Sequence, residues 1–270
     1  MGSVQNSLSD SHIHLFEYGF SGDQNKDFEL INYLNIRECF GIDRALVVGY
    51  EGTDGCVGNN EYVRRLSRTQ KWLAPLRYVN SRLPLFDVLE PEFFGYSIYL
   101  DDWTPSDDHV DFLQGAALSI MKTPIVSLNG TPESFARARN SLQRFNACKI
   151  FISHLGLPGR PAFTKQEAKL RLHPVLDLAN TSDVYVKISG LYALDSTADG
   201  YGSKAYVEVL LETIGVKKLV WGSDFAASLN HLNQSECFSL ASSLHHLFSE
   251  QERQLIESRN LSDVLDACKN

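Results

Sequence analysis

Long apolar runs, clustered basic charge and paired cysteines are all missing from this sequence, and each absence closes off a class of function. No apolar run approaches the ~20 residues a membrane span requires, so no spanning segment is expected. Lys and Arg number 25 against 33 Asp and Glu, for a formal net charge of -8. With no basic cluster to meet phosphates, neither nucleic acid nor an anionic membrane is an expected partner. The five cysteines are an odd number and form no C-x-x-C pair. They read as reduced thiols, and none stands in a recognisable Cys-His setting. The first six residues are polar and lack a signal-peptide core. Asn6 also stands where a myristoylation pattern needs Ser or Thr. A cytoplasmic protein is the expectation. The glycine-rich stretch 49–58 has no Lys-Ser/Thr pair behind it, so it is not a phosphate loop. No linker, low-complexity stretch or internal repeat divides the chain, which predicts one domain over 1–270.

What is present is a regular alternation. At 43% hydrophobic and 21% charged residues, the composition is that of a globular protein with one large core. Ser11–Leu15 alternates as a short strand. Phe28, Ile31 and Leu34 recur at helical spacing, with Ile36 and Phe40 extending that face and Gly41 ending the helix. Ala45–Val48 reads as a second strand and Leu73–Val79 as a third, with a helix through Tyr62, Val63 and Leu66 between them. Tyr96–Leu100, Ile125–Gly130, Lys149–Ser153, Val184–Ser189 and Leu219–Trp221 complete a set of eight. Thr131 before Pro132 reads as a helix N-cap, and Ser249–Glu252 as a capping box. Asp101–Asp108 reads as an acidic, solvated loop, and whether 101–111 forms a lid is left open. Strand and helix alternating to eight strands in this length predicts an α/β fold, a single (β/α)8 TIM barrel. A doubly wound open sheet is the alternative.

The residues that carry chemistry sit where a barrel places it. In Ser11-His12-Ile13-His14, the alternation puts His12 and His14 on one face of the first strand. His154 follows the sixth strand and Asp224 the eighth. In a closed barrel these ends converge on one mouth. A buried carboxylate among imidazoles can take a proton from water, and the imidazoles can bind a metal or polarise a carbonyl. Taken singly, a core histidine is the alternative for His154, and a helix N-cap the alternative for Asp224. Lys187 and Ser189 share a strand face and are candidate substrate contacts, with a rim ion pair the alternative for Lys187. Tyr50, Tyr99, Trp103 and Tyr192 lie near strand exits and could line an aromatic pocket or simply pack.

The set Asp10-Ser11-His12-Ile13-His14, Phe151-Ile152-Ser153-His154-Leu155-Gly156-Leu157-Pro158, Val184–Leu191, Val220-Trp221-Gly222-Ser223-Asp224 and Asn260–Leu265 resembles the amidohydrolase superfamily. The resemblance is to its amidohydrolase-related branch, which includes the pyrone dicarboxylate lactonases and sugar lactonases. It implies a hydrolase in which Asp224 activates water against the carbonyl of a lactone or cyclic amide. His12, His14 and Asp224 would hold one divalent metal, zinc first among candidates, and His154 would contact substrate or metal. A metal-free site is the alternative.

Departures from the branch bear on the substrate. The fifth strand ends in Asn129 where many members carry histidine, and the fourth offers no Lys or Glu, so a two-metal centre is not expected. Asn129 and Tyr50 then stand among the candidate substrate contacts. Phe225-Ala226-Ala227 replaces the usual Trp-Pro-His, so substrate identity does not transfer. Dicarboxylates call for arginines at the mouth, and Arg160 is the one candidate. The expected partner is a small molecule, with a homo-oligomer open. The competing readings are a non-oxidative decarboxylase of an unsaturated or aromatic acid, and a non-catalytic barrel that binds a small molecule.

Overall fold

In the computed structural model, which describes residues 7–81, 88–194 and 201–269, the strands lie in chain order in one parallel sheet, β1 to β8. They are β1 (Leu8–Ile13), β2 (Ile42–Val48), β3 (Leu73–Val79), β4 (Gly95–Tyr99), β5 (Ile125–Asn129), β6 (Lys149–Ile152), β7 (Val184–Ile188) and β8 (Leu219–Trp221). An Ile13–Phe225 bridge brings the last strand's exit back to the first. The Asp224 N–H donates to His12 O at 2.9 Å, and the His14 N–H to Phe225 O. The architecture is a (β/α)8 barrel, as the alternation predicts. Met1–Asn6, read as polar from the sequence, lie outside the described residues.

Alternation along each strand makes two cores. Outward residues such as Val126, Ile150, Ile152, Val186 and Ile188 pack into the large cluster that includes helix residues Phe135, Leu172 and Tyr206. Inward residues Leu46, Leu76, Phe151, Tyr185 and Val220 form a second cluster with Leu261, Val264 and Leu265 of the C-terminal helix Asn260–Lys269. That helix plugs the lower end of the barrel. Asn260 ties it there by donating to the carbonyls of Val216 and Leu219. Higher in the barrel the inward residues turn polar, with His12, Ser97, Ser127 and Lys187 all buried.

The helices begin where the sequence places their caps. Thr131 Oγ1 accepts from Ser134 N at the start of the helix Pro132–Leu142, and Ser249 and Glu252 form the capping box. Two local expectations change. The helix Phe28–Phe40 exists and ends at Gly41, whose φ of 66° suits a residue without Cβ. It buries Glu29, Leu30, Tyr33 and Ile36 and leaves Phe28 and Ile31 exposed. The apolar pattern misplaces this face because the Glu29 carboxylate is turned inward, accepting from the Phe16 N–H at 2.8 Å. The acidic loop is also shorter than expected. Asp107 and Asp108 form the first turn of the helix Asp107–Leu118, capped by Ser106. Their charge there favours the helix N-terminus. No helix among the described residues is long and apolar enough to cross a membrane.

Candidate active site

The barrel mouth gathers four groups from three strand ends. Asp224 Oδ1 lies 3.6 Å from His12 Nε2 and 3.9 Å from His154 Nε2. His14 Nε2 lies 3.2 Å from His12 Nε2. Backbone conformation aims two of them: His154 has φ 53° and Asp224 φ 57°. Both are left-handed without being glycine, a strain that costs on the order of 1 kcal/mol each and is typical of functional positions. Two glycines make room. A Cβ at Gly190 would stand 2.4 Å from His154 Nδ1, and one at Gly222 would stand 2.9 Å from His12 Cβ.

Hydrogen bonds fix which ring nitrogen does what. The Val48 carbonyl can only accept, so His14 Nδ1 carries the hydrogen in their 2.7 Å bond. The neutral His14 ring therefore presents its Nε2 lone pair to the site. Ser189 Oγ lies 3.1 Å from His154 Nδ1. Lys187 Nζ donates to Ser127 Oγ at 2.8 Å and lies 3.2 Å from His12 Nδ1. Burial holds all three imidazoles below their ordinary pKa, and the Lys187 charge adds to this at His12. They are neutral at pH 7. Burial also brings Lys187 down to about 7.

Asp224 is held on its far side. Tyr192 Oη donates to Oδ2 at 2.6 Å, and its ring stacks on His231 at 4.5 Å. Beneath, Asp10 ties β1 to the β8 exit. Its Oδ1 accepts from the backbone N–H groups of His12 and Ser223, and its Oδ2 from Tyr33 Oη. Burial pushes this carboxyl up to about 6.

Three of the four groups are spaced for a single metal ion. His12, His154 and Asp224 each offer one ligand atom, all within 4.8 Å of one another. His14 Nε2, 3.2 Å from His12 Nε2, stands beside this set and not in it, so His154 takes the place that the sequence reading gave to His14. Separations of this size fit donors about 2 Å from a shared ion. For His12 to give its Nε2 lone pair, its hydrogen must sit on Nδ1, facing Lys187 as a neutral amine. The opposite tautomer, with Lys187 donating to Nδ1, turns His12 Nε2–H toward His14 and describes the same cluster without an ion.

Above the cluster opens a cavity of about 760 Å³. His14, His154 and Asp224 form its floor, and Tyr50, Tyr99 and Asn129 line its side. Lys187 is fully enclosed below His12 and does not reach it. Ser189 is likewise buried, touching His154. Arg160 is not brought to this mouth; it lines a separate surface hollow with Thr131, Pro158 and Arg171. Trp103 packs against His109 and the core rather than the cavity. Sequence reasoning missed the roles of Asp10, Glu29 and the Tyr192 hydroxyl. Asp10 stands next to the H-x-H motif, but nothing local signals that its partners lie at 33 and 223.

Comparison with known proteins places this geometry. The family model described as Amidohydrolase matches residues 109–260. No curated protein matches the sequence. Among solved structures, the chain is similar to an amidohydrolase from Burkholderia multivorans with bound zinc, at 16% identity and a TM-score of 0.76. That match covers 95% of this chain and 98% of the other. It is also similar to a structure from Acinetobacter baumannii described as a probable 2-pyrone-4,6-dicarboxylic acid hydrolase, with citric acid bound. There the identity is 15%, the TM-score 0.73, and the coverage 96% of this chain and 99% of that one. Amidohydrolase 2 from Bifidobacterium longum subsp. infantis follows at 16% identity and TM-score 0.67, over 97% and 99%. At such identities these structures speak to the fold.

Proposed function

We propose, from the premise that this chain belongs to the amidohydrolase family and is a hydrolase, that it opens a lactone or cyclic amide with water delivered by Asp224. The observation that carries the reading is the Asp224 carboxylate. It stands at the cavity floor with one oxygen facing His12 and His154 and the other held by Tyr192. That leaves Oδ1 facing the site as an acceptor for a water proton.

In this reading the substrate carbonyl enters above the imidazoles. Asp224 Oδ1 takes a proton as the water oxygen bonds to the carbonyl carbon. Charge then develops on the carbonyl oxygen. In the tautomer whose Nδ1 accepts from Ser189 Oγ, His154 directs Nε2–H toward it; in the other tautomer the Nε2 lone pair would instead be a ligand for an ion. When the ring C–O or C–N bond breaks, the proton on Asp224 passes to the leaving alkoxide or amide nitrogen. The product is a hydroxy acid or amino acid, with Asp224 restored. Tyr192 orients the carboxylate throughout, and Lys187 and Ser127 hold the His12 ring from below.

His12, His154 and Asp224, with His14 beside them, would hold one divalent ion. Zinc suits two or three imidazole nitrogens and a carboxylate oxygen with a position left open. When bound it would supply Lewis-acid polarisation of the carbonyl. We read the protein as a cytoplasmic, single-domain enzyme acting on a small molecule.

A pH-indicator screen of sugar-acid lactones, aryl lactones and cyclic amides tests the reading. Acid release by the wild type and not by Asp224→Asn is expected. Metal content per chain, with loss of activity on chelation and return with zinc, tests the ion. Silence across the panel would count against the hydrolysis of lactones, and release of CO₂ from a candidate acid would replace it.

A further inference from the structure

We propose that the site takes an uncharged aryl lactone, its ring held on an aromatic wall of the cavity, and selects against substrates carrying a second carboxylate. The inference rests on the hydrolase reading above and names its substrate class.

The wall is a run of rings climbing from the catalytic floor. His14 stacks on Phe16 at 6.0 Å, Phe16 meets Phe20 edge-on at 5.6 Å, and Phe20 stacks on Tyr50 at 6.0 Å. Tyr50 then leans on Tyr99 at 4.7 Å. The wall begins at one of the imidazoles of the floor, so a ring lying on it brings a fused carbonyl to Asp224. Its upper part is open. Phe20 is 54% exposed, and Phe28, which also lines the cavity, is 45% exposed. Both line the cavity, so the apolar area they leave uncovered faces the space a ligand would fill. This also accounts for the helix face that hydrophobic periodicity misplaced: Phe28 is turned to the cavity rather than the core.

Charge points the same way. Among the described residues, no Lys or Arg lines this cavity, while Glu29 and Asp224 both do. Lys187 is fully enclosed beneath His12 and does not reach the cavity. Arg160 faces a different hollow. A carboxylate carried on the far side of the substrate would thus meet acceptors and aromatic faces with no guanidinium to hold it. Glu29, buried in the wall and accepting from the Phe16 N–H, adds a carboxyl and not a cation to this lining. A cavity of about 760 Å³ accommodates a bicyclic lactone with room for a substituent.

The test separates binding from turnover. Calorimetric titration of the wild type uses 2-tetralone, the non-hydrolysable ketone shaped like dihydrocoumarin, and a 2-tetralone bearing a carboxylate on its aromatic ring. The neutral ketone is expected to bind at least tenfold tighter. Phe20→Ala is expected to weaken it at least fivefold, and Phe20 is exposed enough that its removal leaves the core intact. Equal or tighter binding of the carboxylated ketone, no binding of either, or unchanged affinity in Phe20→Ala would overturn the proposal. Dihydrocoumarin is then assayed for hydrolysis. Binding of the ketone without hydrolysis of the lactone would overturn the hydrolase reading and leave the ring site standing.

Discussion

Replacing Asp10 by alanine should cost far more stability than replacing it by asparagine. Asp10 is completely enclosed and accepts three hydrogen bonds, from His12 N–H, Ser223 N–H and Tyr33 O–H. Alanine leaves all three donors buried without an acceptor. Each orphaned group costs roughly 1–3 kcal/mol. Relief from burying a carboxylate, whose pKa burial lifts to about 6, offsets part of that. A net loss of about 2–4 kcal/mol remains, or a fall in Tm of roughly 4–7 °C for a chain of this size. Asparagine keeps Oδ1 for both backbone donors and sheds the charge. Its cost should stay within about 1 kcal/mol, since the Tyr33 hydroxyl can rotate to accept from the new amide. Adding Tyr33→Phe to Asp10→Ala should recover about 1 kcal/mol, because one orphan is then gone. Urea denaturation of the wild type and the three variants measures this. If Asp10→Ala lies within 1 kcal/mol of Asp10→Asn, the tie between β1 and the β8 exit is not what holds the mouth together.

Further variants probe the same framework. Tyr192→Phe removes the 2.6 Å bond on Asp224, and should lower kcat about tenfold while KM changes little. Gly190→Ala, at φ 59° and with a Cβ aimed at His154 Nδ1, should abolish turnover and cost about 1–2 kcal/mol in denaturation. Glu29, held up to about 7 by burial, binds its proton more tightly folded than unfolded. Its contribution is therefore present below about pH 4.5 and lost as pH rises to 7, by up to about 3 kcal/mol. Glu29→Gln should flatten that part of the wild-type stability profile, as read by urea midpoints across pH.

The barrel was legible because its strands are short apolar runs and its helices carry local caps. Thr131 and Ser249 announce themselves within three residues of their partners. His12, His14, His154 and Asp224 were legible because each stands at the end of such a run, where parallel topology alone makes ends converge. The supporting groups were not. Lys187 reaches His12 from 175 positions away, and Tyr192 reaches Asp224 from 32, so no local pattern records either contact. The helix Phe28–Phe40 misled for a different reason. Periodicity assumes that apolar residues are the buried ones, and here Phe28 lines an open cavity while Glu29 is buried. Arg160 shows the limit of placing a residue by its nearness to a strand end, since the turn after His154 carries it to another surface.

The central claim is that Asp224 delivers water to a carbonyl, and isotope transfer tests it most directly. A lactone that the wild type opens is turned over in H₂¹⁸O, and the product is weighed by mass spectrometry. One ¹⁸O in the new carboxylate is expected. Asp224→Asn, with an unchanged denaturation midpoint, should lose at least about 10³-fold in labelled product, as removal of an essential base does. Labelled product from Asp224→Asn at a near-normal rate would contradict the account.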